Sequence, residues 1–262
     1  MKPDSRPPWR VALCVWHALL LREAVARLFN KRGAWLWLLL EPVTYIGFTV
    51  FVFAVLRARV IGGMDTAVWL ASGLLAYFLF RRVAVQGASA IGANLALYTY
   101  RQVLPVDTVL VRCALEGVLI TLSAALTAAA LALWDKPTGA QEALVCASAV
   151  AGLWLLAVGW ALAASVGSEL VPELGNLLGL FMMPLMLASG TVFPLSAVPQ
   201  PWRDGLMLNP VAHGIEGVRA GLSSYYHHAP ELSLGYLHAW ALGLLFLGLA
   251  LQRRFRHRMV SL

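Results

Sequence analysis

Long runs of apolar residues restrict this chain more than any other feature of its sequence. An α-helix rises about 1.5 Å per residue, so about 20 apolar residues cross a hydrocarbon core of roughly 30 Å. With 60% of its residues hydrophobic and 13% charged, the chain has too much apolar surface for a soluble domain. The sequence therefore predicts an all-α, polytopic membrane protein. Six stretches qualify as transmembrane spans: residues 35–56, 67–97, 109–134, 143–166, 175–193 and 234–251.

The basic residues predict the orientation of these spans. Six spans place both termini on one side, and Lys and Arg favour the cytoplasmic side. We therefore expect cytoplasmic termini that contact anionic membrane lipids, and no nucleic-acid partner despite the net charge of +7. Residues 252–262 form a basic cytoplasmic tail. The basic residues near the two ends are Lys2, Arg6, Arg10, Arg22, Arg27, Lys31, Arg32, Arg253, Arg254, Arg256 and Arg258.

Two segments do not fit a simple bundle. Residues 1–34 contain only a short apolar run, which predicts a helix lying in the membrane interface. The alternative is a signal peptide ending at Ala24-Val25-Ala26, although the adjacent charges disfavour cleavage. Residues 194–230 combine five prolines with apolar pieces too short to span. They predict a re-entrant pair of short helices on the outer face, with a plain extracellular loop as the alternative.

Two adjacent arginines, Arg81 and Arg82, interrupt the second span. Each costs about 2.5–3.5 kcal/mol near the bilayer centre, which favours a function. The functional interpretation is a basic lining for an anionic substrate, with Tyr77, Phe78 and Phe80 as aromatic neighbours. In the alternative interpretation, the span begins later and both side chains snorkel to an interface.

The sequence lacks most motifs that would indicate catalysis or ligand binding. None of the three lysines follows a glycine, so the chain lacks a phosphate-binding P-loop. The sequence has no hydrolase or metal-ligand motif, and its three cysteines do not form a disulfide pattern. We expect no enzyme activity and no cofactor in this chain. Intramembrane carboxylates do not follow one another along any span, which disfavours a proton-coupled transporter.

A polar connector joins the second and third spans. A short helix at residues 95–107 would expose Tyr98, Tyr100, Arg101 and Gln102 and would stop at Pro105. Such a helix is suited to docking into a groove of a partner protein. An ordinary solvated connector is the alternative.

Four segments, in this order, resemble those of the membrane subunits of type-2 ABC exporters, and most closely the permeases that export capsular polysaccharide in Gram-negative bacteria. The segments are residues 21–27 (LREAVAR), 35–42 (WLWLLLEP), 98–107 (YTYRQVLPVD) and the outer-face residues 189–194 (SGTVFP) with 202–203 (WR), 209–213 (NPVAH) and 216–219 (EGVR). The likeness covers nearly the whole chain.

This resemblance implies a mechanism and a set of partners. Two copies of the chain would form a pathway lined by the first, second and fifth spans of residues 35–251. Two separate ATPase subunits, holding ATP and Mg²⁺, would dock on the coupling residues. The cargo would be a lipid-linked acidic polysaccharide, received by a periplasmic adaptor and an outer-membrane channel, so the chain would lie in a bacterial inner membrane. Other cargoes (O-antigen, teichoic acid, a drug) and an ATPase-independent transporter remain alternatives.

The resemblance also assigns roles to individual residues. It places Arg22, Glu23 and Arg27 on the interfacial helix, and it extends the ATPase-coupling set to Thr99. The re-entrant segment would contain Phe193, Pro194, Asn209, Pro210, Glu216 and Arg219.

Overall fold

The computed structural model describes residues 8–29, 33–56, 60–100 and 102–260. Their elements are α1 (Pro8–Leu28), α2 (Ala34–Leu56), β1 (Val60–Ile61), β2 (Met64–Asp65), α3 (Thr66–Ala88), a 3₁₀ helix (Gly92–Thr99), α4 (Pro105–Ala132), α5 (Ala143–Leu170), α6 (Pro172–Ala188), a second 3₁₀ helix (Leu195–Ala197), α7 (Trp202–Leu206), α8 (Pro210–Leu222) and α9 (Leu234–Val260).

The predicted all-α, polytopic architecture is confirmed. Five helices within the described residues, α2, α3, α4, α5 and α9, are long and apolar enough to cross a membrane. The remaining predicted span corresponds to α6, whose 17 residues extend roughly 25 Å. The two short strands form a small antiparallel hairpin before α3.

The second span is shorter than the sequence suggested. The apolar stretch continues to residue 97, but α3 ends at Ala88 and the chain continues as a separate 3₁₀ helix. Polar side chains accompany this break: the Ser89 hydroxyl donates to the Gln86 carbonyl and the Asn94 amide donates to the Ala90 carbonyl. Such local bonds compete with a continuing α-helix, and hydropathy alone does not register them.

Helix α3 occupies the centre of the protomer, and most of its length is buried against α2, α4, α5 and α8. Its largest buried side chains are Trp69, Tyr77 and Phe80. Beside it, α5 and α9 pack closely through glycines. A Cβ atom at Gly159 would lie 2.6 Å from the Leu245 backbone nitrogen, so only glycine permits this approach. Close glycine contacts are a common means of associating helices where lipid replaces water.

The connections predicted to face outward gather at one end of the bundle, which we call the outer end. Asp65 caps α3 and forms an ion pair with Lys136 from the turn after α4. The His227 backbone N–H donates to the Gly62 carbonyl and so ties the segment after α8 to the hairpin. These contacts agree with an alternating path of the spans. We call the opposite end the inner end.

Helix α8 lies at the outer end as a buried element. It is 13 residues long, too short to span, and most of its side chains are enclosed by α3, α5 and α9. The structure therefore has a packed helix in the predicted re-entrant segment, where the alternative was an exposed loop. The depth of α8 in a membrane stays a prediction.

We expect Ser224, next to α8, to be accessible from outside the cell, since it is exposed at the outer end. In a background whose three cysteines are replaced by alanine, Ser224→Cys should react with a membrane-impermeant maleimide in intact spheroplasts. Gln102→Cys, exposed at the inner end, is the matched control and should react only after permeabilisation. The reverse pattern would contradict the predicted topology.

Candidate functional site

One face of α3 is directed towards α2 and α6. The Tyr77 hydroxyl donates to the Met182 carbonyl of α6, and the Phe78 ring packs edge-on against Tyr45 of α2 with ring centroids 5.5 Å apart. Residues three and four positions apart share a helix face, so Arg81 lies on this same side, one turn further towards the inner end. Its side chain is exposed. We call Tyr77, Phe78 and Arg81 the cleft face. Tyr77 and Phe78 are buried, at 0% and 8% exposed, so Arg81 alone of the three is open to a ligand.

The other two residues of the predicted pathway lie elsewhere. Phe80 is 1% exposed and packs edge-on against Trp160 of α5, with centroids 6.3 Å apart. Arg82 is turned by about 100° from Arg81, as consecutive helical residues are. The structure thus brings Tyr77 and Phe78 to Arg81 and separates Phe80 and Arg82 from them.

Arg82 is neutralised by a buried carboxylate on α4. Its Nε lies 3.1 Å from Glu116 Oε2, and its Nη1 donates to the Leu38 carbonyl of α2 at 3.2 Å. Glu116 is fully buried, and its other oxygen pairs with Nη1 of Arg27 from α1. One carboxylate therefore joins three helices and offsets the cost of holding two guanidinium groups inside the protein.

The network continues through α1. Glu23 Oε1 lies 3.0 Å from Arg27 Nε and 2.7 Å from Arg112 Nε, so α1 and α4 share this carboxylate. Burial alone would raise the pKa of the Glu23 carboxyl, but the bonds and charges of Arg112 and Arg27 outweigh burial and hold that pKa below its usual value. Glu23 is therefore charged at neutral pH. We call the set Glu23, Arg27, Arg82, Arg112 and Glu116 the α1 ion cluster.

The spacing of charges in the sequence contains a signal for this cluster. Glu23 and Arg27 are four residues apart, as are Arg112 and Glu116, so each pair occupies one helix face. The resemblance placed Glu23 and Arg27 on an interfacial helix without assigning partners to them. Hydropathy and charge counting weigh residues singly and do not pair charges on different helices, so the sequence analysis did not predict the cluster.

The predicted coupling residues divide into a buried part and an exposed part. Tyr98 is 6% exposed, its hydroxyl lies 2.8 Å from Thr108 Oγ1, and burial raises its pKa to about 12, so the phenol stays protonated. Thr99, Tyr100 and Gln102 are exposed. Arg101 lies outside the described residues.

Helix α1 also holds the coupling segment directly. Trp16 Nε1 donates to Asp107 Oδ1 at 2.8 Å, and Arg22 Nη1 donates to Asn94 Oδ1 at 2.9 Å. The other Asp107 oxygen accepts from the Leu104 backbone N–H and so caps α4. Residues 92–107 and α1 therefore form one connected unit at the inner end.

A second charged cluster fixes α8 at the outer end. Arg219 is fully buried and stacks over the Trp69 ring, with its Cζ 3.8 Å from the ring centroid. Its guanidinium donates to the carbonyls of Gly190 and Thr191, each at 2.8 Å. Glu216 balances the charge and accepts from the Tyr226 hydroxyl at 2.7 Å. The sequence pointed to Glu216 and Arg219 but not to Trp69, which lies 150 residues from Arg219 in the chain, or to Tyr226, which follows α8.

The remaining residues assigned to the re-entrant segment shape its entry. Asn209 caps α8 by accepting from the Val211 backbone N–H, and its amide donates to Ser189 Oγ at 2.7 Å. Pro210 occupies the first turn of α8, where its missing N–H costs nothing. Phe193 packs beside a small apolar cluster at the outer end, and Pro194 precedes the second 3₁₀ helix. In the structure, these re-entrant residues therefore cap α8 or pack at its outer end.

Comparison with known proteins decides the family. Residues 15–223 match the family described as ABC-2 type transporter. The chain belongs to the ABC-2 type transporter family. The match includes the α1 ion cluster, the coupling segment, the cleft face and α8.

Curated relatives of this ABC-2 chain align along nearly its whole length. The polysialic acid transport protein KpsM of Escherichia coli is 28% identical over 98% of this chain and 99% of the relative. The capsule polysaccharide export inner-membrane protein BexB of Haemophilus influenzae is 27% identical over 92% of this chain and 91% of its own length. The capsule polysaccharide export inner-membrane protein CtrC of Neisseria meningitidis serogroup A is 28% identical over 91% of this chain and 89% of its own length.

We expect Glu116→Gln to destabilise the protein, because it leaves the partly buried guanidinium group of Arg82 without its ion-pair partner and leaves Arg27 with Glu23 alone. Removing one partner of a buried ion pair costs about 3 kcal/mol or more. The apparent Tm of the purified protein in detergent should fall clearly. Arg81→Gln removes an exposed charge from the neighbouring position and should leave that Tm unchanged. An unchanged Tm for Glu116→Gln would show that the cluster carries little of the stability.

Proposed function

We propose that this chain is the membrane permease of an ABC exporter that moves a lipid-linked, acidic capsular polysaccharide across a bacterial inner membrane. Family membership and full-length similarity to capsule polysaccharide export proteins support this proposal. Separate subunits that bind ATP and Mg²⁺ supply the energy, and the cargo passes on to a periplasmic adaptor and an outer-membrane channel. Both termini lie in the cytoplasm.

Arg81 is the observation that carries the choice of an acidic cargo. Among the described residues, no carboxylate forms an ion pair with Arg81, whereas Arg82 is paired with Glu116. A guanidinium group in surroundings of low dielectric attracts carboxylates strongly and binds them with well-defined geometry. The charge of Arg81 therefore lies on the cleft face, where it can bind the carboxylate of an acidic sugar.

A second copy of the chain completes the pathway in this proposal. Beside the cleft face, α2 exposes Phe48 and Phe51, and α6 exposes Phe181 and Met183, each by more than 60%. Apolar side chains of this kind suit contact with another protomer or with lipid. In a symmetric pair, two Arg81 side chains would face one conduit from opposite sides.

The exposed coupling residues support docking of an ATPase at the inner end. Tyr100 is 66% exposed, next to a segment that α1 holds through Trp16 and Arg22. A force applied at Tyr100 would therefore reach α1 and, through the α1 ion cluster, α3 and α4. This route connects the ATPase to the cleft face without requiring a nucleotide site in this chain.

We expect Arg81→Gln to reduce surface polymer at least tenfold in a strain whose only permease is this protein. The acidic cargo would lose its counter-charge, and polymer should accumulate inside the cell. Arg81→Lys, which keeps the charge, should retain part of the export. Surface and internal polymer can be quantified by antibody binding before and after permeabilisation.

Arg253→Gln provides a matched control, since it removes an exposed arginine from the end of α9, far from the cleft face. This variant should export normally. Undiminished surface polymer in Arg81→Gln, at equal protein level, would contradict an electrostatic role for Arg81 in transport.

We also expect Tyr100→Ser to weaken co-purification of the ATPase subunit while leaving the fold intact, because the Tyr100 ring is exposed. Tyr98→Ser is the matched comparison: it removes a buried ring and should lower the apparent Tm. Unchanged co-purification with Tyr100→Ser would count against docking at this segment.

A further inference from the structure

An apolar cavity of about 300 Å³ lies between α3, α4, the first turns of α5 and the end of α8, away from the cleft face. Its walls run along α3 from Val68 to Leu79 and along α4 from Ile120 to Leu131. Each wall is roughly 16 Å long, which is close to half of the roughly 30 Å hydrocarbon core. The cavity therefore has the length of one leaflet, and it runs from the outer end to the middle of the membrane.

Water is poorly suited to fill this cavity. The hydroxyls on its α3 and α4 walls belong to Ser72, Thr121 and Thr127, and each already donates to a carbonyl of its own helix. Almost all of the remaining lining is aliphatic. A buried water needs two to four polar partners, and apolar cavities without them stay dry or take apolar ligands.

Two charged side chains adjoin the outer lining of the cavity in the sequence and match the charges of a lipid headgroup. The cavity is lined at its outer end by Thr138 and Val68. Asp65 precedes Val68 by three residues and Lys136 precedes Thr138 by two. Lys136 Nζ lies 2.7 Å from Asp65 Oδ2, and both side chains are partly exposed. A cation and an anion side by side complement the phosphate and the amine of a phosphoethanolamine headgroup.

We propose that this cavity binds one acyl chain of a membrane phospholipid, which enters between α4 and α5 from the outer leaflet. The bound chain fills the space beside α3 and stabilises the contact of α3 with α4. Length, apolar walls and the Asp65–Lys136 ion pair together select a phospholipid over water or a second protomer. The orientation in the leaflet follows the topology proposed above.

The test uses photo-crosslinking in nanodiscs of phosphatidylethanolamine and phosphatidylglycerol, with a tracer of phosphatidylethanolamine bearing a diazirine in mid-chain. No polymer is present, so a cargo lipid cannot be the source. Ala71 and Ser72 are 2% and 6% exposed, so lipid can reach them only by entering the cavity. Mass spectrometry should find adducts on the stretch 68–79 of α3.

Variants that fill the cavity should remove those adducts. Ala124→Phe combined with Ala128→Phe places two rings in the space and should reduce α3 adducts at least fivefold. Leu126→Phe is the matched control, because Leu126 lies on the exposed side of α4 and its replacement should leave the adducts unchanged. If the double variant does not fold, Val150→Phe at the partly exposed α5 wall provides a second block.

Two results would overturn the proposal. The first is that residues 68–79 of the unmodified protein carry no lipid adducts. Protein–protein cross-links at these residues in place of lipid adducts would count as the same result. The second is equal α3 labelling in the blocked variants and in Leu126→Phe. Neither result bears on export through Arg81, since the cavity and the cleft face lie on different sides of α3.

Discussion

The buried carboxylate of Glu116 is the interaction on which the inner half of this molecule depends. It is fully enclosed, and it forms ion pairs with Arg27 of α1 and Arg82 of α3. Without this carboxylate, Arg82 would lose its ion-pair partner and Arg27 would keep only Glu23, which would weaken the packing of α1 and α3 against α4. A single acid on α4 thus anchors both α1 and α3.

The same interaction explains why two neighbouring arginines behave differently. Arg81 and Arg82 are adjacent in sequence, but a helix turns their side chains about 100° apart. Arg82 meets Glu116 between α3 and α4, while Arg81 shares a face with Tyr77 and Phe78. Arg82 therefore stabilises the packing of α3 against α4, whereas the charge of Arg81 stays available to a ligand.

Much of the architecture was predictable from the sequence, and the exceptions have physical causes. Long apolar runs predict the spans because the bilayer imposes one length on every helix. The end of α3 and the burial of Tyr98 were not predictable, since both depend on bonds from Asn94 and Thr108 that hydropathy does not weigh. In the candidate site, the arginine doublet was visible, but its division was not, because it requires knowing that Glu116 lies beside α3. The role of Trp69 depends likewise on a contact with Arg219, which is far from it in the chain.

The anchoring of Arg219 has a mechanical consequence. Its guanidinium holds the carbonyls of Gly190 and Thr191, just after α6, and that of Trp69, near the start of α3. These bonds fasten α6 to α3 at the outer end, whereas the inner end of α6 begins at Pro172 after a short link to α5. The Tyr77–Met182 bond also joins the two helices, within the half of α6 nearer the outer end. A separation of α3 from α6 would therefore meet less resistance at the inner end than at the outer end. Such a separation would widen the space between α3 and α6 on the side that the proposed topology assigns to the cytoplasm, from which the proposed polymer would enter.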